Sequence, residues 1–396
     1  MKFYIIGIDD NSQPQFRAEV ESIVYSGKVF SGGVRHHQIV EDLLPSGVEW
    51  IDITPPMDRL IERYRAHDEV VVFASGDPLF YGFAQTIQRL MPDAEIVTYP
   101  YFNSLQQLAH ALTMPYQDMH VVSLTGRAWH KFDAALIQGY EMIGVLTDNR
   151  DHTPRKIAQR MVDYGYRNYQ ISVGELLGNS EKERVRTMSV EQVAECDFAY
   201  PNNLILKRIL PRKRYFGIPD TEFKLLDGRE KMITKRMIRL ATLAQLNLTE
   251  SQNFWDVGFC TGSISIEAKM QHPDLHITAF EIREKCDQII EENMRHLGTP
   301  GIDYRMGDFL STELDDLASP DSVFIGGHGG RLHDIMERIV PRLSDGGVIV
   351  MNSVSKASYD LFHAAATSQS LTIEPETTIS LDSFNQIIIL KATKKI

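Results

Sequence analysis

Cysteine is scarce. The 396 residues include three, at 196, 260 and 286, and no Cys-x-x-Cys pair. That argues against a disulfide framework and a structural zinc site, which need paired or clustered thiols. Long apolar runs are missing too, so no membrane span is expected. The start, Met1-Lys-Phe-Tyr-Ile-Ile-Gly7, reads as a short strand and a turn rather than a signal peptide, and a cytoplasmic location is expected. Basic charge is the third shortage. Lys and Arg total 41 against 53 Asp and Glu, a formal net charge of −12. That disfavours a nucleic-acid partner, yet leaves room for a local basic pocket. H-E-x-x-H, P-loop and G-x-S-x-G patterns are all missing, so no metal and no nucleophilic triad is expected. The remaining composition, 43% hydrophobic and 24% charged, suits a soluble globular protein, and the length leaves room for two cores.

The C-terminal half is organised around Phe254-Trp-Asp-Val-Gly-Phe-Cys-Thr-Gly262. A short apolar run ends at Gly258, a tight loop follows to Gly262, and a helix begins with Ile264 and Ile266. A second strand, His276 to Glu281, ends on a carboxylate 23 residues beyond Gly258. This is a βαβ unit of nucleotide-binding type, with glycines for close backbone approach and an acid placed for the hydroxyls of a ribose. The loop Gly258-Phe259-Cys260-Thr261-Gly262 is not G-x-G-x-x-G. It is nearer the G-x-G-x-G of S-adenosylmethionine (SAM) methyltransferases. A dinucleotide and a ligand-free βαβ unit are the competing readings.

The first half alternates strands and helices, which predicts an α/β domain with a mainly parallel sheet. Its strand ends carry Ser75-Gly-Asp-Pro78, Ser123-Leu-Thr-Gly-Arg127 and Thr147-Asp-Asn-Arg150, where ligands of such sheets sit. Leu210-Pro-Arg-Lys-Arg-Tyr-Phe-Gly217 is basic and bracketed by proline and glycine. It predicts a linker at 209–216 between domains 1–208 and 217–396. Thr234 is the expected N-cap of the next helix.

Phe73-Ala-Ser-Gly-Asp-Pro-Leu-Phe-Tyr-Gly82 resembles the hallmark loop of the tetrapyrrole methylases. Ser31-Gly-Gly-Val-Arg-His36 and Leu146-Thr-Asp-Asn-Arg150 resemble the branch that methylates a corrin precursor at carbon 5. Gly217-Ile-Pro-Asp-Thr-Glu-Phe223, Thr234-Lys235 and Phe324-Ile-Gly-Gly-His-Gly-Gly330 resemble the decarboxylating methylases of cobalamin biosynthesis that act at carbon 15. The resemblance covers residues 1–208 and 215–393. It implies a two-lobed tetrapyrrole methylase fold joined to a Rossmann-like SAM methyltransferase with a seven-stranded sheet. The implied activity is methylation at carbons 5 and 15 of (cobalt-)precorrin-6B or -7, with decarboxylation of the C12 acetate. The implied assembly is a homo-oligomer.

The same resemblance implies SAM contacts at Thr234, Gly258 to Gly262, Glu281, Asp308 and Phe309 in the second half. In the first half it implies Gly76, Asp77, Pro78, Tyr81 and Ser104. A substrate bearing many carboxylates asks for cations around an apolar cleft. Candidates are Arg35, His36, Arg127, Arg150, His328 and Arg331. Four departures from the family pattern stand out. They are Asp9-Asp10 in a loop that is usually glycine-rich, Thr125 in place of histidine, Cys260 in place of glycine, and Phe309 in place of alanine. Two alternatives stay open: a first half that only holds the tetrapyrrole, and an NAD-dependent oxidoreductase using Gly258 to Glu281.

Overall fold

The computed structural model describes residues 1–11, 13–229, 232–381 and 386–395. By internal contact the chain forms two compact units that divide at Leu210 and Pro211. Segments Ala128–Gly139 and Asp163–Tyr166 group with the second unit. Among the described residues no helix is long and apolar enough to cross a membrane.

The first unit holds two five-stranded sheets. One runs Glu49–Asp52, Val29–Gly32, Glu69–Ser75, Lys2–Ile8, Glu95–Tyr99, and every pairing in it is parallel. Val70 to Phe73 are at most 1% exposed. A continuous β-branched and aromatic run is what a strand covered on both faces requires. The other sheet runs His120–Ser123, Met142–Leu146, Asn202–Arg208, Tyr169–Glu175, Arg184–Ser189. Only its first pair is parallel. The expectation of a mainly parallel first half therefore fails in this lobe. Arg184–Ser189 is a polar edge strand that returns as a hairpin, and its Arg-Val-Arg-Thr-Met-Ser carries no apolar run to announce it.

The next helix, Phe83–Leu90, begins just after Gly82. Residues before it form a turn in which Pro78 accepts from the Ala84 amide, 3.2 Å. A Cβ on Gly82 would lie 2.3 Å from that same Pro78 oxygen.

The second unit is built on a sheet ordered Ile302–Met306, His276–Glu281, Asn253–Val257, Ser322–Ile325, Val348–Ser353, Ile387–Thr393, Thr372–Ile373. These seven form one hydrogen-bonded path. An eighth strand, Thr377–Ile379, also pairs with Ile387–Thr393. The first five are parallel and the last strands antiparallel. Helix Lys356–Ser368 buries Phe362, Ala365 and Ala366 and has no counterpart in the sequence reading.

The Gly217-Ile-Pro-Asp220 motif is bound into this unit by a buried ion pair. Glu267, fully buried, accepts from the amides of Gly217 (3.0 Å) and Ile218 (2.7 Å) and from Arg239 Nε (3.1 Å). The equally buried Arg239 guanidinium also reaches Asp220 (3.2 Å), the Thr234 carbonyl (2.7 Å) and the Ile218 carbonyl. Thr234 is not the N-cap. The helix begins at Arg236 with Lys235 in the cap position, and the Arg236 amide donates to Asp220 at 3.0 Å.

Candidate active sites

Each unit carries a cleft at the carboxyl ends of its parallel strands, where strand-to-helix loops converge. The cleft of the second unit, about 520 Å³, is lined by Thr234, Gly258, Phe259, Cys260 and Thr261. Gly258 has φ +83°, and a Cβ there would sit 2.7 Å from the Gly327 amide nitrogen. A Cβ on Gly326 would meet the Gly258 oxygen at 2.8 Å. The glycine loop and the Gly326-Gly327 pair are thus packed backbone to backbone, which only glycines permit. Cys260 takes φ +52°, the left-handed region that glycine would occupy without strain, and its thiol donates to the Met232 carbonyl at 3.3 Å.

Asp256 is not singled out by the sequence reading. It is fully buried, lines the cleft, and receives the Ser265 hydroxyl on Oδ2 at 2.6 Å. Its Oδ1 has no hydrogen-bond partner among the described residues, and neither has Thr261 Oγ1 beside it in the lining. Burial pushes the Asp256 carboxyl up to about 7, against the Ser265 bonds and helped by the charge of Glu281. Unsatisfied buried polar atoms cost about 1–3 kcal/mol each, so two on one cleft wall mark a place for a ligand.

Glu281 does not line this cleft. It is 2% exposed and its oxygens hold the loop in shape. Oε2 accepts from the Cys260 amide at 2.9 Å, and Oε1 from the amides of Ile282 (2.9 Å) and Arg283 (3.0 Å). The Arg283 guanidinium reaches both oxygens. Gly262 also lies outside the lining, with Ile290 where its Cβ would be, at 2.8 Å. Phe309 is 6% exposed in the core, edge-on to Phe280 and Trp255, so the structure sets it away from the cleft. Asp308 pairs with Arg331 instead. His328 accepts the Gly330 amide in a turn at 3.1 Å rather than lining the cleft, and burial lowers its pKa.

The cleft of the first unit, about 350 Å³, is lined by Gly76, Tyr81, Ser104, Arg35, His36 and Thr125. Gly76 has φ +60°, and a Cβ would lie 2.8 Å from Asn103 Cα. Tyr81 takes φ +53° with the Arg127 guanidinium over its ring at 5.2 Å. Arg35 is held by Asp10 (2.9 Å) and donates to Ser75 (3.0 Å). His36 Nδ1 accepts the Gly33 amide, so Nε2 carries the proton and donates to Ser75 at 2.9 Å. Burial first, then Arg35, lower the His36 pKa to about 4.

Four predicted residues lie outside this lining. Asp77 accepts the Leu79 amide at 2.9 Å within a turn, and Pro78 is buried. Arg127 donates to Ser123 at 2.8 Å. Arg150 belongs to a turn organised by Asp148, whose Oδ1 accepts the amides of 150, 151 and 152.

Two family models match the chain. Tetrapyrrole (corrin/porphyrin) methylases match residues 27–194, and the precorrin methyltransferase domain matches 227–374. Fold, clefts and models together define the class: a tetrapyrrole methyltransferase of two catalytic types in one chain. A precorrin-6Y C(5,15)-methyltransferase [decarboxylating] of Sinorhizobium sp is 30% identical over 362 residues, covering 89% of this chain and 84% of that one. Its namesake from Mycobacterium tuberculosis is 27% identical over 358 residues, covering 89% and 87%. The chain belongs to the family of decarboxylating precorrin-6Y C5,15-methyltransferases. The crystal structure of a precorrin-6Y C5,15-methyltransferase from Geobacter metallireducens GS-15 is 30% identical, covers 46% of this chain and all of its own, and has a TM-score of 0.42.

Proposed function

We propose that this chain methylates one tetrapyrrole twice, at carbon 5 in the N-terminal cleft and at carbon 15 in the C-terminal cleft. The second half also releases the C12 acetate carboxyl as carbon dioxide. The substrate class is precorrin-6B or -7, or the cobalt forms, and SAM is the methyl donor for both steps. The observation that carries this reading is that each unit has its own cleft at the strand ends. Each cleft is walled by buried polar atoms without a hydrogen-bond partner among the described residues: Asp256 and Thr261 in one, Asn203 in the other. The relatives' names supply the reaction, and the homo-oligomeric, cytoplasmic setting is part of the same proposal.

The residues fit the donor. Asp256 Oδ1 offers an acceptor for a cationic group, and Gly258 to Thr261 bring main chain to the cleft wall. SAM supplies, when bound, a methyl group activated by its sulfonium. The protein's part is to hold acceptor carbon and methyl in line and to exclude water. Lys235 and Arg283 line the C-terminal cleft, and Arg35 the N-terminal one, where they would orient carboxylate arms. Loss of carbon dioxide leaves an electron pair that the conjugated macrocycle takes up, and a proton from solvent then completes the methyl group left at C12. The protein needs only to orient and desolvate that carboxylate.

Methyl-labelled SAM and precorrin-6B, or its cobalt form, given to the purified chain test this by product mass spectrometry. Two labels with loss of one carbon dioxide are expected. One label with that loss would reduce the first half to a tetrapyrrole-holding module, the reading that Asp9, Asp10 and Thr125 in its cleft favour. No labelled product from either substrate form would overturn the assignment.

A further inference from the structure

We propose that Asn203 reads the edge of an adenine ring in the N-terminal cleft; this rests on the reading that SAM is used there. Asn203 lies in strand Asn202–Arg208, is 1% exposed and lines the cleft. Neither its Oδ1 nor its Nδ2 has a hydrogen-bond partner among the described residues. Its neighbour shows what a satisfied amide looks like. Asn202 Oδ1 accepts the Thr147 hydroxyl at 2.8 Å, and its Nδ2 donates to the Ala199 carbonyl at 2.7 Å.

A buried amide that stays unpaired on both atoms is costly, and native folds keep such groups rarely. The chemistry of the missing partner is constrained. An amide presents a donor and an acceptor side by side, so its complement must present an acceptor beside a donor. A carboxylate arm of the tetrapyrrole only accepts, and would leave Oδ1 orphaned. A lone hydroxyl serves one atom well and the other poorly. The adenine edge, an exocyclic amino group next to a ring nitrogen, is the familiar two-bond partner of an asparagine side chain. Ile8, Leu146 and Leu177 line the same cleft and offer apolar surface for a purine.

The test is isothermal titration of the full chain with S-adenosylhomocysteine, beside thermal melts without ligand. The wild type is expected to bind two equivalents. Asn203→Leu, close in size but without polar atoms, is expected to weaken one site by about tenfold or more while leaving the other intact. The same variant is expected to raise the ligand-free Tm by roughly 2 °C or more, because it removes the unpaired amide. These opposite signs separate a reader of ligand from a structural residue. Asn203→Ala must show the same loss of binding, and unchanged carbon-15 methylation reports a folded chain. Unchanged affinity at both sites would mean that an internal water satisfies the amide, and would overturn the proposal. So would a raised KM for the tetrapyrrole at carbon 5 with the titration unaltered, which would assign Asn203 to an acid arm. A wild-type chain that binds a single equivalent would instead overturn the N-terminal methyltransferase reading, and the adenine assignment with it.

Discussion

Arg331 and Asp308 grip each other through two parallel contacts, Nη1 to Oδ2 at 2.7 Å and Nη2 to Oδ1 at 3.0 Å. The sequence reading sends one to the substrate and the other to the cofactor. Both side chains are substantially exposed, 44% and 33%. Solvent therefore screens the pair, and Arg331→Met or Asp308→Asn is expected to move Tm by no more than about 2 °C. Their kinetic effects should differ in sign. Arg331→Met removes a cation and is expected to raise KM for the anionic tetrapyrrole in carbon-15 methylation. Asp308→Asn frees that cation and is expected to lower it. Equal effects in steady-state assays would show that the pair serves only to shape its loop.

Asp256 makes the ligand-free chain pH-sensitive. Its folded pKa, about 7, lies above the ordinary 3.8. A carboxyl shifted upward contributes stability that is fully present below its unfolded pKa and is lost as pH rises through the folded value. Urea unfolding of the ligand-free protein should therefore show stability falling between about pH 4 and pH 8, by at most about 4 kcal/mol from this group. Asp256→Asn should flatten that slope. Binding of a cationic ligand should run the other way and tighten as Asp256 ionises. Superimposable pH–stability curves for the wild type and the Asp256→Asn variant would refute the assignment.

The Arg239–Glu267 pair is fully buried, so losing either partner strands a charge in the core. Arg239→Met or Glu267→Ala is expected to cost about 3–5 kcal/mol in denaturant unfolding. The Arg239→Met, Glu267→Met double variant should recover part of that loss, because neither charge then remains. Each single variant also releases segment Gly217–Asp220 and the Thr234 carbonyl, which the pair holds beside the C-terminal cleft. Carbon-15 methylation should fall with stability while carbon-5 methylation persists.

Residue pattern carries the order of elements well and their direction less well. Val70 to Phe73 announces a buried strand because burial on both faces demands an unbroken apolar run, and Phe254, Trp255 and Val257 announce another although Asp256 interrupts it. The antiparallel lobe stays hidden because strand direction is not written in side-chain periodicity. The glycine loop is legible because its backbone conformation and close approach need Gly258. Glu281 stands at the expected strand end, yet what it bonds is the Cys260 amide, a relation that spacing alone does not reveal. Asp256 has a readable signal, a carboxylate inside an apolar strand two residues before the loop glycine. Asn203 has none, since an asparagine followed by Leu-Ile-Leu looks like any strand entry.

The interleaving of the two units has a consequence for how these activities travel together. Helix His130–Gln138 precedes the division at Pro211 by some 70 residues. It nevertheless serves the second unit: His130 stacks on His276 with centroids 3.7 Å apart, and Lys131 reaches Asp274 at 2.7 Å. Tyr166, also ahead of Pro211, donates to the Gly298 carbonyl at 2.7 Å. A gene cut before Pro211 would hand each product an incomplete body, one carrying an unmatched helix and the other an uncovered face. Fusion in this protein is a structural commitment, and the second unit takes part of its architecture from chain that precedes Pro211.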